Sequence, residues 1–155
     1  MSVDELDIKK VINEDLIDLN LEAATKLEAI EQLIHLLYLN HCINDEKDFL
    51  EDVLNREKEG ITGLGEGVAI PHGKSESVIR TSLAIGRTQK PIEWESLDGK
   101  PISTIILFAV KNTDSNVLHI KLLQRVAILL ADDDVIAKFQ TVRTKQELID
   151  LLSKK

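Results

Sequence analysis

The chain has few of the residues that mark specialised protein classes. Its 155 residues include one cysteine, one tryptophan, one tyrosine, three phenylalanines and three prolines. The single Cys42 excludes an internal disulfide framework and is typical of a reducing cytoplasm. The longest uninterrupted apolar run, Ile105 to Val110, is far too short to span a bilayer. The first residues also lack the basic start and apolar stretch of a signal peptide. These absences predict a cytoplasmic protein without membrane insertion.

Charge and ligand patterns exclude further classes. The formal net charge of −8, without any basic cluster, argues against a nucleic-acid or anionic-membrane partner. No His-x-x-x-His or Cys-x-x-Cys pair is present, so we expect no metal site. The hydrophobic content of 43% and charged content of 30% are those of a globular protein. No repeat or interdomain linker is visible, which predicts a single domain over residues 1–155.

Strand and helix patterns predict an α/β fold. We expect a three-layer sandwich with a mixed, mostly parallel central sheet flanked by helices. The run Ser103–Val110 is continuously β-branched or apolar, as in a central strand covered on both faces. The predicted helix Asn116–Ala131 is apolar nearly all round, which predicts that it is buried. The other predicted strands are Asp15–Leu21, Val68–Ile70 and Arg80–Arg87, with an irregular segment Pro91–Leu97 and a turn at Asp98–Gly99; the predicted helices are Ala24–Asn40, Asn44 or Asp45 to Gly60, Asn116–Ala131, Asp134–Thr141 and Lys145–Ser153.

The most informative segment is GITGLGEGVAIPHGK, from Gly60 to Lys74. Its glycines permit tight turns and uncover backbone N–H groups that could bind phosphate; the candidates are Gly63, Gly65, Gly67 and Gly73. Pro71 favours extended backbone before it, so we expect a strand that ends at His72. Gly73 would then let a partner approach without meeting a Cβ.

Two nucleotide-binding motifs resemble this segment, and their spacing excludes both. A P-loop ending in Gly73-Lys74-Ser75 would require a glycine at Val68, and Gly67 is one residue too far away. A dinucleotide fingerprint starting at Gly65 would require its third glycine where Ile70 stands.

His72 is the first candidate for chemistry. A lone histidine in a loop is commonly without a role, but its Pro-His-Gly setting favours a displayed nucleophile. Only an unprotonated ring nitrogen is nucleophilic, so a carbonyl or carboxylate should hold the other N–H. The residues alone do not reveal which nitrogen that is.

Two further side chains are candidates for binding an anion. His119 lies in the first turn of a predicted helix, where backbone N–H groups attract anions, or else it packs beside its apolar neighbours. Arg56 lies at the end of the second helix and close to the glycine segment. It is either part of a solvated charged face or a bidentate anion ligand.

Three segments carry a specific combination of motifs: REKEGITGLGEGVAIPHGK from Arg56 to Lys74, IEWESLDGKP from Ile92 to Pro101 and LHIKLLQRVA from Leu118 to Ala127. Together they resemble the fructose/mannitol-type (type 2) IIA component of the bacterial phosphoenolpyruvate-dependent sugar phosphotransferase system. The resemblance covers about Ile12 to Leu152. Glu66 departs from it, since many relatives carry asparagine there.

The resemblance implies a phosphotransferase that acts as a phosphoryl carrier. His72 would accept a phosphoryl group from HPr on Nε2 and pass it to a cysteine or histidine of a IIB component, with the membrane IIC component involved indirectly. His119 matches the histidine that hydrogen-bonds the phosphoryl group, and Arg56 matches the arginine near the site. Donor and acceptor are protein side chains, so no cofactor is expected.

Two other functions stay open at this point. One is a regulatory protein of the nitrogen type, which acts through its phosphorylation state. The other is a binding module in which His72 is inert. For a carrier, we expect transient docking, with part of the contact from an apolar rim of Ile61, Leu64, Val68 and Ile70. The sugar and the oligomeric state cannot be read from these residues.

Overall fold

The computed structural model describes residues 8–112 and 118–153, except for the side chains of residues 118 and 119. Two short 3-10 turns, Ile8–Lys10 and Glu14–Leu16, precede the first strand. Within the described ranges, no helix has the length and apolarity required to cross a membrane. The strands are β1 (Ile17–Leu21), β2 (Gly63–Gly65), β3 (Val68–Ala69), β4 (His72–Ser75), β5 (Ser82–Ile92) and β6 (Ile102–Lys111), and the helices are α1 (Lys26–Leu39), α2 (Glu46–Glu59), α3 (Leu118–Leu130), α4 (Asp133–Thr141) and α5 (Lys145–Leu152).

The strands form one mixed sheet in the order β1-β5-β6-β3-β2, and β4 also pairs with β6. Three pairings are parallel (β1 with β5, β3 with β6, β4 with β6), and two are antiparallel (β5 with β6, β2 with β3). All but two of the ten residues of β6 are buried, as expected for a strand covered on both faces. The α/β class, the mixed sheet and the central position of this strand are therefore confirmed.

Helices cover both faces of the sheet. On one face, a Cβ at Gly86 of β5 would lie 2.7 Å from Leu21 and 3.0 Å from Leu33 of α1. On the other face, Thr104 of β6 donates a hydrogen bond to Gln140 of α4 at 2.8 Å. Helix α2 packs on β4 beside α1, while α3 and α5 both pack against α4. The predicted three-layer sandwich is confirmed.

The strand that carries His72 differs from the prediction. We expected one strand to end at this histidine, but β3 stops at Ala69 and β4 begins at His72. Both strands follow one register along β6, because Ala69 pairs with Ile105 and His72 with Phe108. Ile70 and Pro71 thus separate two strands that share one register on β6, and His72 begins the second strand.

Strand β5 is longer than predicted. It continues to Ile92, five residues beyond the expected end at Arg87, and Pro91 lies within it. The pairing with β6 shifts register between Arg87 and Ile92. A proline, which cannot donate a ladder hydrogen bond, is tolerated at such an irregularity. The predicted turn at Asp98–Gly99 is present, with Gly99 at φ +71°.

The first two helices begin and end close to their predicted bounds because local caps define them. Thr25 accepts a hydrogen bond from the Glu28 N–H, and the Glu28 carboxylate accepts one from the N–H of Ala24. Asp45 caps α2 through the N–H of Asp48. Gly60 is the C-cap residue of α2 and has extended backbone, at φ 169°.

Helix α3 is not buried all round, as its composition had suggested. Leu122 and Val126 are buried, whereas the side chains of Ile120 and Ile128 are 51% and 71% exposed. The exposed side of α3 thus carries two isoleucines together with Gln124 and Ala127. Composition alone could not reveal which face the rest of the molecule covers. The first residues of the predicted helix and most of the preceding loop lie outside the described residues.

Candidate functional site

His72 lies where β4 starts, partly buried beside the central strand. Its ring centroid is 6.4 Å from that of Phe108, at an interplanar angle of 57°. The carbonyl of Pro71 accepts a hydrogen bond from the Phe108 N–H at 3.0 Å, which fixes the backbone just before the histidine. The imidazole is thus carried by a rigid element, with packing on one side of the ring.

The two ring nitrogens of His72 have different partners. Nδ1 lies 3.1 Å from the Ile70 carbonyl oxygen, and Nε2 lies 3.0 Å from Nε of Arg56. A carbonyl only accepts and a guanidinium only donates, so Nδ1 carries the proton and Nε2 the lone pair. The structure therefore shows which nitrogen carries the lone pair, which the residues alone left open: it is Nε2.

The surroundings of His72 keep its ring neutral. Burial lowers the pKa of His72 below its usual 6.5, and the positive charge of Arg56 lowers it further. The Ile70 carbonyl and the carboxylates of Glu57 and Glu59 oppose these effects without reversing them. At neutral pH the imidazole is therefore uncharged, which is the nucleophilic form.

Arg56 reaches His72 from the last turn of α2. Its Nη1 group donates to the carbonyl of Gly60 at 3.4 Å, so the guanidinium bridges the end of the helix and the imidazole. The structure thus brings together two of the predicted site residues, which lie sixteen positions apart in the sequence. Their roles in chemistry stay predictions.

His119 belongs to the first turn of α3 as the structure describes that helix. Its side chain lies outside the described residues, so its predicted contact with a bound phosphoryl group stays a prediction.

Beside three of the glycines proposed to bind phosphate, other residues of the protein fill the space that a side chain would need. A Cβ at Gly63 would lie 2.4 Å from the carbonyl oxygen of Glu95, and one at Gly67 would lie 2.9 Å from Gln140. At Gly65, whose φ is +141°, a Cβ would lie 3.2 Å from Asp98. These glycines let the β2–β3 hairpin pack closely against residues 95–98 and α4. The N–H groups of this hairpin are not all uncovered, since that of Glu66 donates to Asp98 at 2.9 Å.

Gly73 also has a different role from the predicted one. A Cβ there would lie 2.8 Å from Val53 and 2.9 Å from Phe49, both on α2. Gly73 is buried, so its missing side chain makes room for α2 and not for a partner protein. The predicted apolar rim loses a member for a similar reason, because Val68 is only 1% exposed while Ile61 is 52% exposed.

Sequence reasoning missed the residues that fix the tip of this hairpin. Glu66 has a φ of +55°, which is uncommon for a residue with a side chain. Asp98 accepts from its N–H, and Gln140 donates to its carbonyl at 3.2 Å. The hydrogen bond from Glu66 is the main cause that lowers the pKa of the Asp98 carboxyl. The sequence predicted the turn at Asp98-Gly99, but it did not predict that Asp98 binds Glu66, thirty-two residues away.

In the part of the chain that the structure describes, no group of three or more His, Cys, Asp or Glu side chains is arranged to hold a metal ion. The site that the structure does show consists of a neutral imidazole with a defined tautomer and one guanidinium in contact with it. It offers a nucleophile beside a positive charge, which suits transfer of an anionic group.

Comparison with known proteins agrees with this fold. The sequence profile described as "Phosphoenolpyruvate-dependent sugar phosphotransferase system, EIIA 2" matches residues 10–155. The fructose-specific EIIABC component of Bacillus subtilis (strain 168) is 32% identical over 146 residues, which are 94% of this chain and 23% of that protein. The chain thus spans about a quarter of the length of that relative.

Solved structures show the same architecture. The nitrogen regulatory protein IIA-Ntr from Neisseria meningitidis superposes with a TM-score of 0.87 at 30% identity, over 94% of this chain and 98% of that one. The IIA mannitol structure from Escherichia coli superposes with a TM-score of 0.75 at 26% identity, over 91% and 98%. The fold and the matches define an α/β domain of the IIA class. The chain belongs to the type-2 EIIA family of the phosphoenolpyruvate-dependent sugar phosphotransferase system.

Proposed function

We propose that this chain is a cytoplasmic phosphoryl carrier acting as one IIA domain. His72 accepts a phosphoryl group from phosphorylated HPr and passes it to a IIB component for sugar uptake, with the membrane IIC component involved only through IIB. The contact of Arg56 with Nε2 of His72, together with the hold of Ile70 on Nδ1, is the observation that carries the proposal. It supplies a neutral nucleophile and an adjacent cation in one arrangement.

The transfer step follows from this geometry. The hydrogen bond from Arg56 to Nε2 breaks as the donor approaches, and the guanidinium turns to the phosphoryl oxygens. The lone pair on Nε2 then attacks phosphorus, and the Nε2–P bond forms as the nitrogen–phosphorus bond of the donor breaks. The donor nitrogen keeps the bonding electron pair, and the proton on Nδ1 stays where it is. Charge in the loose transition state rests on the equatorial oxygens, where the Arg56 guanidinium stabilises it. The second transfer repeats the step with the IIB side chain as the nucleophile.

Labelling tests the proposal directly. The protein is incubated with labelled phosphoenolpyruvate, enzyme I and HPr, and the product is tested for a phosphate that is labile in acid and stable in base. We expect the wild type to be labelled and His72→Ala to remain unlabelled. His35→Gln is the matched control, because His35 is an exposed histidine that pairs with Glu46 at 2.8 Å. Full labelling of His72→Ala would refute the assignment.

A regulatory role is the second candidate, and one observation favours it. The superposition on the nitrogen regulatory protein, at TM-score 0.87, exceeds that on the mannitol protein, at 0.75. Labelled protein mixed with a IIB component distinguishes the two roles. Rapid passage of the label to IIB supports transport, whereas retention of the label by the carrier supports regulation. Neighbouring genes for IIB and IIC components would independently favour transport.

A further inference from the structure

A buried carboxylate lies next to Arg56 in the sequence and takes no part in the transfer step. The side chain of Glu57 is only 7% exposed, and Lys26 Nζ lies 2.6 Å from its Oε1. The hydroxyl of Thr62 lies 2.7 Å from one carboxylate oxygen of Glu57 and 2.9 Å from the other. Burying a carboxylate is costly unless it is paired in this way. Glu57 thus joins α2, the start of α1 and the segment before β2.

Lys26 is held on three sides. Its ammonium binds Glu57, donates to Glu95 at 2.9 Å and lies 5.0 Å from the centroid of the Trp94 ring. Burial lowers the pKa of Lys26, but the hydrogen bonds and charges of Glu57 and Glu95 outweigh this and leave the pKa raised. Lys26 is therefore a fixed positive charge opposite Glu57.

A series of hydrogen bonds connects Glu57 to the imidazole. Thr62 donates its hydroxyl to Glu57, and its carbonyl accepts from the N–H of Ile70 at 2.9 Å. The carbonyl of Ile70 then accepts from Nδ1 of His72 at 3.1 Å. The group that fixes the histidine tautomer is thus held by Thr62, whose side chain is held by Glu57.

Glu57 is also connected to Nε2 of His72, by way of Arg56. Arg56 and Glu57 are neighbours in the last turn of α2, so the rotation of that turn sets both side chains. Anchoring Glu57 to Lys26 and Thr62 fixes this rotation and with it the direction from which Arg56 reaches Nε2. Both contacts of the imidazole therefore depend on one buried carboxylate.

We propose that Glu57 is a positioning residue for phosphoryl transfer, which acts through Thr62 and Ile70 on Nδ1 of His72 and through Arg56 on Nε2. The proposal rests on the proposed function of His72 as the phosphoryl acceptor. It adds that fast transfer requires the contacts among Lys26, Glu57 and Thr62, although none of these three residues touches the transferred group.

Three substitutions separate this role from simple packing. Glu57→Gln keeps the shape of the side chain but leaves Lys26 without its charged partner. Thr62→Val keeps the shape of Thr62 but removes the hydroxyl, and Thr62→Ser restores the hydroxyl. Glu59→Gln is the matched charge control, because Glu59 is an exposed carboxylate whose charge also acts on His72.

The main readout is the tautomer of His72, measured from the 15N chemical shifts of its two ring nitrogens in unphosphorylated protein. We expect a proton on Nδ1 in the wild type, Thr62→Ser and Glu59→Gln. In Glu57→Gln and Thr62→Val we expect a mixture of both tautomers. The kcat for transfer from phosphorylated HPr should fall roughly tenfold in these two variants, with KM within about twofold, because the acceptor is misplaced while docking is intact.

Wild-type tautomer and wild-type kcat in folded Glu57→Gln and Thr62→Val would overturn the proposal. An equal loss in Thr62→Ser would also overturn it, since the hydroxyl would then be irrelevant. The tautomer is measured without any phosphoryl donor, so it tests the positioning role even if labelling of wild-type His72 fails. That failure would refute only the proposed function.

Discussion

At the scale of single residues, Arg56 acts on His72 in two ways. Its N–H donates to Nε2, which holds the unprotonated nitrogen towards the guanidinium, and its charge lowers the pKa of the ring. In the proposed function, a phosphoryl group on Nε2 would make the same guanidinium face phosphate oxygens instead of a nitrogen. One side chain would thus keep the proposed acceptor neutral before transfer and stabilise anionic charge during it.

Removing this charge should change the pH dependence of the site. We expect Arg56→Gln to raise the pKa of His72 towards 6.5, because a repelling cation is lost while burial remains. The neutral ring is the acceptor, so wild-type transfer should persist below pH 6.5 until the lowered pKa is reached. The variant should lose activity at a higher pH. An NMR titration of the His72 ring protons and a pH–rate profile measure both effects.

Arg80→Gln is the control for this titration, because Arg80 donates to the Asn40 carbonyl at 3.1 Å. Its substitution should leave the pKa of His72 unchanged. An equal pKa in Arg56→Gln and the wild type would show that the guanidinium does not act on the ring electrostatically.

The sequence singled out His72 as the candidate for chemistry but did not indicate how its ring is held. The setting of His72 between Pro71 and Gly73 singled it out, because Pro71 restricts the backbone before it and Gly73 frees the backbone after it. The tautomer could not be predicted, since it depends on the direction of the Ile70 carbonyl and on a side chain sixteen residues away. Glu57 was not singled out either, because a carboxylate in a charged helix end is usually solvated and its partners Lys26 and Thr62 lie on other segments.

At the scale of elements, the contact of β4 with α2 determines where the site lies. The two elements approach so closely that Phe49 and Val53 occupy the space beside Gly73 that a side chain would need. The same helix carries Arg56 in its last turn. The separation between α2 and β4 therefore fixes the position of the guanidinium relative to the imidazole.

Gly73→Ala should push these elements apart. An added methyl group would meet Val53 at 2.8 Å and Phe49 at 2.9 Å, and overpacking of this kind costs about 1–3 kcal/mol. We expect a loss of that size in the free energy of unfolding in urea, together with slower transfer. Gly60→Ala is the control for the unfolding measurement, since its backbone is extended and the nearest neighbour of the added methyl group, Nη1 of Arg56, would lie at an ordinary contact distance of 3.8 Å.

A loss within about 0.5 kcal/mol for Gly73→Ala, comparable to the loss expected of a surface substitution, would show that α2 yields easily. The rigid positioning of Arg56 would then lose its support.

Elements with local signals were predictable, and elements defined by distant partners were not. Thr25 and Asp45 are caps that act within a few residues, so both helix starts were predicted closely. The beginning of β4 depends on pairing with β6, more than thirty residues away. The exposed side of α3 depends on what covers the helix, and its composition carries no such information.

At the scale of the whole molecule, one continuous apolar core joins the sheet to both helical layers. It includes Leu33 of α1, Phe108 of β6 and Leu148 of α5. Because no layer has a core of its own, the layers should not unfold separately.

Trp94 provides a test of this cooperativity. It is the only tryptophan in the sequence, and only 6% of it is exposed. We expect urea unfolding curves from tryptophan fluorescence and from far-ultraviolet circular dichroism to coincide, since local and global structure are lost together. Transitions with separate midpoints would contradict a single cooperative unit and the prediction of one domain.

The shared register of β3 and β4 has a consequence for how the gene can change over evolutionary time. Adding or deleting a single codon between Ala69 and His72 would turn the histidine towards the opposite surface of the sheet, because side chains alternate along a strand. Base substitutions at Ile70 and Pro71 leave this count intact, but frame-preserving indels do not. The spacer of two residues should therefore persist in length even where its composition drifts.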